Sequence, residues 1–497
     1  MTGKGKVLGN SLLYTLSSLL VKAIGFLLLP VYTLFLTPED YGITNLINGF
    51  TGVATYIVSF SLYSALIRFY TNYKDDINKL KRFYGTIIIF VFCSGCLFCG
   101  FGLLIKELLV KSFFEGIAFY PAVFIALLST IFICLHTVHQ SIMQGMQAGK
   151  KLTIINLIVF VLTVCFNLLF ITLLKLGAVG VLFATLVINL LYSIYMLMDL
   201  KANGLVTFCI DLVMLKESLK YSIPLMPHNL STHIASFASR VFINIKGSLA
   251  SVGLYSVASQ FGIIIDTVQA SVNKAFSPWF FEIMSQNNSS AKREIIYLSR
   301  FLLILYSLLY MLIGLFSQEV LILMTSKKYI MAWTAIPIFV IAYSVKSIYY
   351  FYINVLFYYK EAANKIFIAS VTGSLMDITL AVTLVPNYGL YGAAIAFLIA
   401  KVIVVTIIVL ISKRYEDVGY KLYDMLKIII PSILFMVIGL YFSYTKYLEV
   451  FCWLNLLYKL FILASYLVFL FITNKNIINR ILQSNKFKMF LRQIKKK

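Results

Sequence analysis

Cations placed where apolar helices should have none are the chemical signal of this sequence. Lys22 stands near the middle of a long apolar stretch, Asn10 to Leu36. A lysine at that depth costs about 2.5–3.5 kcal/mol on insertion scales, so something must offset it. Thr15, Ser18, Lys22 and Gly25 fall at steps of three and four and share one helical stripe. Asn229, His233, Ser236 and Arg240 repeat that spacing. Lys346 lies with Phe339, Tyr343, Tyr350 and Phe357 on an aromatic stripe. Cations flanked by small polar and aromatic groups in greasy helices suit a wet cavity that holds an anion. Small polar residues also mediate helix packing in lipid, so the basic residues carry the argument.

Two acids at depth, Asp266 and Asp377, are candidates to bind or titrate with an ion. Asp266 could instead pair with Arg240, and Asp377 could be a structural hydrogen-bond acceptor. Lys401 and Lys459 are expected to snorkel to an interface. His136 and His139 read as packing or interface residues. Cys93, Cys96 and Cys99 have a metal-like spacing, but in an apolar helix without a nearby histidine they read as small filler. No metal site and no disulfide framework are expected. The four histidines form no nucleophile constellation, which disfavours a membrane enzyme.

The elements that must position these residues follow from composition. Of 497 residues, 61% are hydrophobic and 12% charged, with mean hydropathy +0.92, which excludes a soluble globular protein. The formal charge of +23 sits mostly in short loops, so it reports membrane topology rather than nucleic-acid binding. Apolar runs long enough to cross a bilayer predict an all-α polytopic membrane protein of about fourteen transmembrane helices. They lie near 9–36, 42–66, 84–105, 117–140, 152–174, 178–199, 219–245, 249–273, 295–316, 331–357, 365–385, 389–411, 426–445 and 450–473. Basic residues favour alternate loops by roughly four to one, which places both termini in the cytoplasm. No cleavable signal peptide is expected, because the first apolar run is too long. Residues 475–497 read as a basic amphipathic tail on the anionic inner leaflet.

An internal repeat is visible. Leu176-Gly177-Ala178-Val179-Gly180 answers Tyr388-Gly389-Leu390-Tyr391-Gly392 at an offset of 212, and Tyr41-Gly42-Ile43 answers Val252-Gly253-Leu254 at 211. Carried back, the offset sets Lys22 on His233 and Thr44, Asn48, Thr51 and Thr55 on Tyr255, Ser259, Gly262 and Asp266. The expectation is two parallel six-helix lobes, 1–205 and 206–415, around a central cavity lined by helices 1, 2, 7 and 8. Two further helices, 416–474, and the tail lie outside the repeat.

Four motifs then point to a family. Leu36-Thr37-Pro38-Glu39-Asp40-Tyr41-Gly42, Ala65-Leu66-Ile67-Arg68-Phe69-Tyr70, Ala275-Phe276-Ser277-Pro278 and Tyr388-Gly389-Leu390-Tyr391-Gly392-Ala393-Ala394 occur in order. With the lobes and the cationic stripes, they resemble the polysaccharide transporter branch of the multidrug/oligosaccharidyl-lipid/polysaccharide flippase superfamily. That branch holds the O-antigen and capsular repeat-unit flippases, and the resemblance covers nearly the whole chain. It implies passage of a polyprenyl-diphosphate-linked oligosaccharide from the inner to the outer leaflet of the bacterial cytoplasmic membrane by alternating access. Lys22, Arg240, Lys346 and protonated His233, with Asn229, would meet the diphosphate and sugar, and Tyr343 and Tyr350 would stack on sugar faces. Asp266, Asp377 and His233 would couple to a proton or sodium gradient, with no other cofactor. Implied partners are the lipid-linked substrate, membrane lipids, a polysaccharide polymerase and chain-length machinery. A peptidoglycan lipid-precursor flippase and a multidrug exporter of the same superfamily are the alternatives, and cation export would favour an acidic cavity.

Overall fold

The computed structural model describes residues 25–286, 288–363 and 365–483. Lys22, Thr15, Ser18 and the tail from 484 onward lie outside them. The described residues are mainly helical, and the first helix wholly within them is α1 (Leu29–Phe35). A sharp turn then starts α2 (Pro38–Ser59). Thr37 Oγ1 accepts from the Asp40 amide at 3.1 Å, and the Thr37 amide donates to the Asp40 carboxylate at 3.1 Å. This reciprocal cap, with proline at the first helical position, explains the Thr37-Pro38-Glu39-Asp40 motif. Phe60 and Ser61 take left-handed backbone, and α3 (Leu62–Tyr73) leaves at 42° as the second half of a bent helix pair.

The next helices are α4 (Ile77–Leu104), α5 (Lys106–Phe113), α6 (Phe124–Gly145), α7 (Gly149–Leu168) and α8 (Gly177–Ala202). After them come α9 (Leu212–Ser222), α10 (Met226–Lys246), α11 (Leu249–Met284), α12 (Ser289–Leu315) and α13 (Ser317–Met324). The last are α14 (Ile336–Tyr358), α15 (Ile366–Tyr415), α16 (Leu422–Thr445) and α17 (Trp453–Gln483).

Among the described residues, ten helices are long and apolar enough to cross a membrane, or eleven if the bent α2–α3 pair is one span. The sequence predicts fourteen, and the difference lies at three places. The first predicted span falls largely outside the described residues. The seventh is α10, a helix whose Asn229, Ser231, Thr232, His233, Ser236 and Arg240 make it too polar to qualify. The eleventh and twelfth are one 50-residue helix, α15, broken at Gly389.

The repeat is expressed in backbone geometry. Gly177 and Gly389, 212 apart, both have positive φ, +57° and +53°, where a side chain would be strained. Gly42 and Gly253, 211 apart, meet reciprocally. A Cβ on Gly42 would lie 1.9 Å from the Leu249 carbonyl oxygen, and one on Gly253 would lie 2.1 Å from that of Pro38. Pro38 and Leu249 are themselves 211 apart. A contact of i with j matched by j with i is the form a two-fold relation produces.

Contacts group the chain into two units. One comprises the described residues up to Gln260 with Ser370–Ala396, and the other comprises Phe261–Ala369 and the described residues from Phe397 onward. In the first, Leu62, Leu66, Phe83, Ile87, Cys134 and Val138 form a dry core shared by α3, α4 and α6. In the second, Trp333, Tyr310, Phe339 and Phe351 are fully buried.

Candidate functional site

Polar side chains from helices that otherwise bury apolar faces collect in two places, one in each unit. In the first unit, α10 presents Asn229, His233, Ser236 and Arg240 along one stripe. Its opposite positions, Ala235, Phe237 and Val241, are buried. His233 and Ser236 are exposed, while Asn229 and Arg240 are half-buried, so the stripe is open to a ligand. The Arg240 guanidinium donates to the Ser236 carbonyl at 2.9 Å and hydroxyl at 2.5 Å, and stands 5.9 Å from the centre of the Tyr255 ring. Ser236 therefore aims the arginine from one turn away, as the four-residue spacing allows. The His233 ring lies 4.7 Å from that of Tyr56, which meets Tyr63 edge-on at 5.9 Å. Gly52 gives α2 its approach, since a Cβ there would sit 3.3 Å from His233 Nδ1. Asp377, on α15, is buried, and Tyr255 lies in the electrostatic field of both Asp377 and Arg240.

The second unit holds an acid–base pair. Lys346 Nζ on α14 meets Asp266 Oδ1 on α11 at 2.6 Å, and the Tyr350 hydroxyl donates to the same oxygen at 2.8 Å. The ammonium also lies 5.6 Å from the centres of the Tyr343 and Tyr350 rings. The sequence reading did not name Lys346 as a partner of Asp266, and the structure forms this ion pair. The reason is packing. Gly262 lets Tyr343 lie against α11, where a Cβ would stand 2.5 Å from the ring. Buried Gln269 ties the same helices, donating to the Tyr310 hydroxyl at 2.7 Å and the Tyr343 carbonyl at 3.1 Å. One turn on, Asn354 donates to Asn273 at 2.8 Å and accepts from Ser277 at 2.5 Å, which gives the Ala275–Pro278 motif its hydrogen-bonding role.

The structure thus gathers Asn229, His233 and Arg240 on one helix, and Asp266, Lys346, Tyr343 and Tyr350 around one carboxylate. Sequence reasoning set Tyr255 on the repeat-related stripe but missed Tyr56 and Tyr63, which join the α10 stripe. Their periodicity on α2 and α3 is submerged among other apolar residues.

Other charged and titratable side chains in the helices make contacts of their own. Lys459 does not snorkel. Its side chain is fully buried, 2.7 and 2.8 Å from the two oxygens of Glu319 on α13. Lys401 lies 4.5 Å from the centre of the Phe397 ring. His139 contacts Tyr192 at 3.0 Å and Asp199 at 3.3 Å, and Asp199 also takes Lys151 at 2.5 Å. His136 meets Asn189 at 2.8 Å. These contacts pin α6, α7 and α8 together.

The profile of a family described as polysaccharide biosynthesis protein matches residues 7–284, more than half of the chain. This chain belongs to the polysaccharide biosynthesis protein family. The matched region contains α10 and the carboxylate of Asp266. A protein of Haemophilus influenzae called Lsg locus putative protein 1 is 24% identical to this family member over 366 residues, 71% of this chain and 85% of its own length. Solved structures share the fold. An inward-facing multidrug resistance MATE family transporter of the MOP superfamily aligns with TM-score 0.66 and 16% identity, over 79% of this chain and 94% of its own. The lipid II flippase MurJ, in an inward closed conformation, aligns with TM-score 0.66 and 18% identity, over 94% of this chain and 100% of its own. A MOP superfamily transporter from Pyrococcus furiosus aligns with TM-score 0.59 and 17% identity, over 84% and 96%. The polysaccharide biosynthesis protein described here is accordingly a multi-pass membrane protein with the fold of MOP-superfamily transporters.

Proposed function

We propose that this chain is a flippase that carries a polyprenyl-diphosphate-linked oligosaccharide from the inner to the outer leaflet of a bacterial cytoplasmic membrane. Membership in the polysaccharide biosynthesis family supports the substrate class. The observation that carries the mechanism is the accessible α10 stripe, where Arg240 is aimed by Ser236 beside His233 and Asn229. A diphosphate cannot cross hydrocarbon without replacing its hydration shell, and a guanidinium supplies paired donors for it. Tyr56 and Tyr63, both partly exposed, offer faces on which sugar rings rest. Lys22 belongs to the same reading by its repeat relation to His233.

In this reading the Asp266–Lys346 pair couples transport to an ion. While Asp266 is ionised, its carboxylate holds Lys346 and the Tyr350 hydroxyl. A proton on Asp266, or a sodium ion taking its oxygens, releases the ammonium to an incoming phosphate. Departure of that phosphate restores the pair. Asp377, buried on α15, is the second candidate for ion binding. Polymerase and chain-length machinery are the partners expected downstream.

Arg240→Ala tests the reading. Loss of a charged hydrogen-bonding group of this kind costs about 1.5–3 kcal/mol, so surface polysaccharide should fall tenfold or more at equal membrane levels of protein. Wild-type export would remove Arg240 from the mechanism. A second reading, flipping of a peptidoglycan lipid precursor, is favoured by the alignment with MurJ along 94% of this chain. Rescue of cells depleted of their lipid II flippase would select it.

A further inference from the structure

The second unit contains a cavity of about 670 Å³ between the starts of α12 and α16 and the end of α17. Its volume lies within the range of about 300–1,000 Å³ typical of ligand sites. Its wall is apolar, built by Ile428, Ile430, Pro431 and Phe469, and Arg300, Asp424 and Lys427 line it too. Arg300 and Asp424 form an ion pair, so those two charges cancel. The Lys427 ammonium lies 4.4 Å from the centre of the Tyr423 ring and has no salt-bridge partner among the described residues. The cavity therefore carries one net positive charge at the end of an apolar slot. Ile430 is 47% exposed and Phe469 37% exposed, so hydrocarbon reaches the slot from the side. The three helix ends that form it carry basic residues of the loops assigned to the anionic face of the bilayer.

We propose that this cavity binds an anionic glycerophospholipid of the surrounding bilayer. Its phosphate is held by Lys427, beside the neutral Arg300–Asp424 pair, and an acyl chain lies along Ile430, Pro431 and Phe469. Basic pockets between transmembrane helices select anionic headgroups in this way. The apolar wall distinguishes the lipid from a free anion, and the charge distinguishes it from a zwitterionic lipid. The proposal needs only the membrane-spanning character of α12, α16 and α17, so it stands or falls separately from the transported substrate.

The test is native mass spectrometry of the full chain in detergent, titrated with dioleoyl phosphatidylglycerol or dioleoyl phosphatidylcholine. Phosphatidylglycerol should bind more tightly. Lys427→Gln should weaken it about fivefold, the share of one basic residue, while leaving phosphatidylcholine unchanged. Lys446→Gln, at the other end of α16, should change neither. Inorganic phosphate should not displace the bound lipid. Equal binding of the two lipids, an unchanged Lys427→Gln variant, an equal loss in Lys446→Gln, or displacement by phosphate would each overturn the proposal.

Discussion

The crossing of α2 and α11 makes the sharpest prediction. Gly42 and Gly253 bring two backbones so close that an added methyl would stand 1.9 Å from the Leu249 carbonyl oxygen or 2.1 Å from that of Pro38. Ordinary contact begins near 3.4 Å, so Gly42→Ala must part the helices by about 1.5 Å. The obstructing atoms are backbone, which cannot swing aside as a side chain can. Overpacking of this kind costs about 1–3 kcal/mol. Alanine is also the better helix former, by up to about 1 kcal/mol, which offsets part of the loss. Gly100→Ala isolates that offset, because nothing lies within 4 Å of a Cβ there. Thermal unfolding of the purified full chain in detergent should rank Gly42→Ala and Gly253→Ala clearly below wild type, with Gly100→Ala at or above it. The double variant should lose less than the two single losses together, since one parting of the helices relieves both clashes. A Gly42→Ala protein that unfolds with the Gly100→Ala protein would refute the crossing.

Further outcomes follow from other sites. Glu319→Gln strips the buried Lys459 of its counter-charge and should cost about 3–5 kcal/mol, whereas replacing both by methionine should cost much less, read by the same unfolding assay. Asp266→Asn should leave Lys346 without its carboxylate and flatten the pH dependence of transport in vesicles, and an unchanged pH profile would remove Asp266 from coupling. Outside the spans, the Lys292 ammonium, with the Tyr359 hydroxyl, holds the Glu416 carboxyl below its ordinary value. Its contribution to stability is therefore complete above the ordinary glutamate range and is lost as pH falls through the lowered value. Glu416→Gln should lower the unfolding midpoint at neutral pH and narrow the gap to wild type on acidification.

Much of this architecture was legible in the sequence because a bilayer imposes strict terms. Backbone polar groups must pair within helices there, so apolar run length announces the spans, and a charge within a run stands out at once. The Asn229, His233, Ser236 and Arg240 stripe was readable for that reason. The repeat was readable because glycines at close approaches and positive φ admit few substitutes, as at Gly42 with Gly253 and Gly177 with Gly389.

What only the tertiary structure decided was pairing. That Asp266 takes Lys346, that Lys459 takes Glu319, and that Tyr56 lies against His233 depend on how helices far apart in the chain rotate and cross. Helical periodicity assigns each residue a face but not the neighbour that face meets. That choice is made by the packing of whole surfaces, to which each charged residue contributes little.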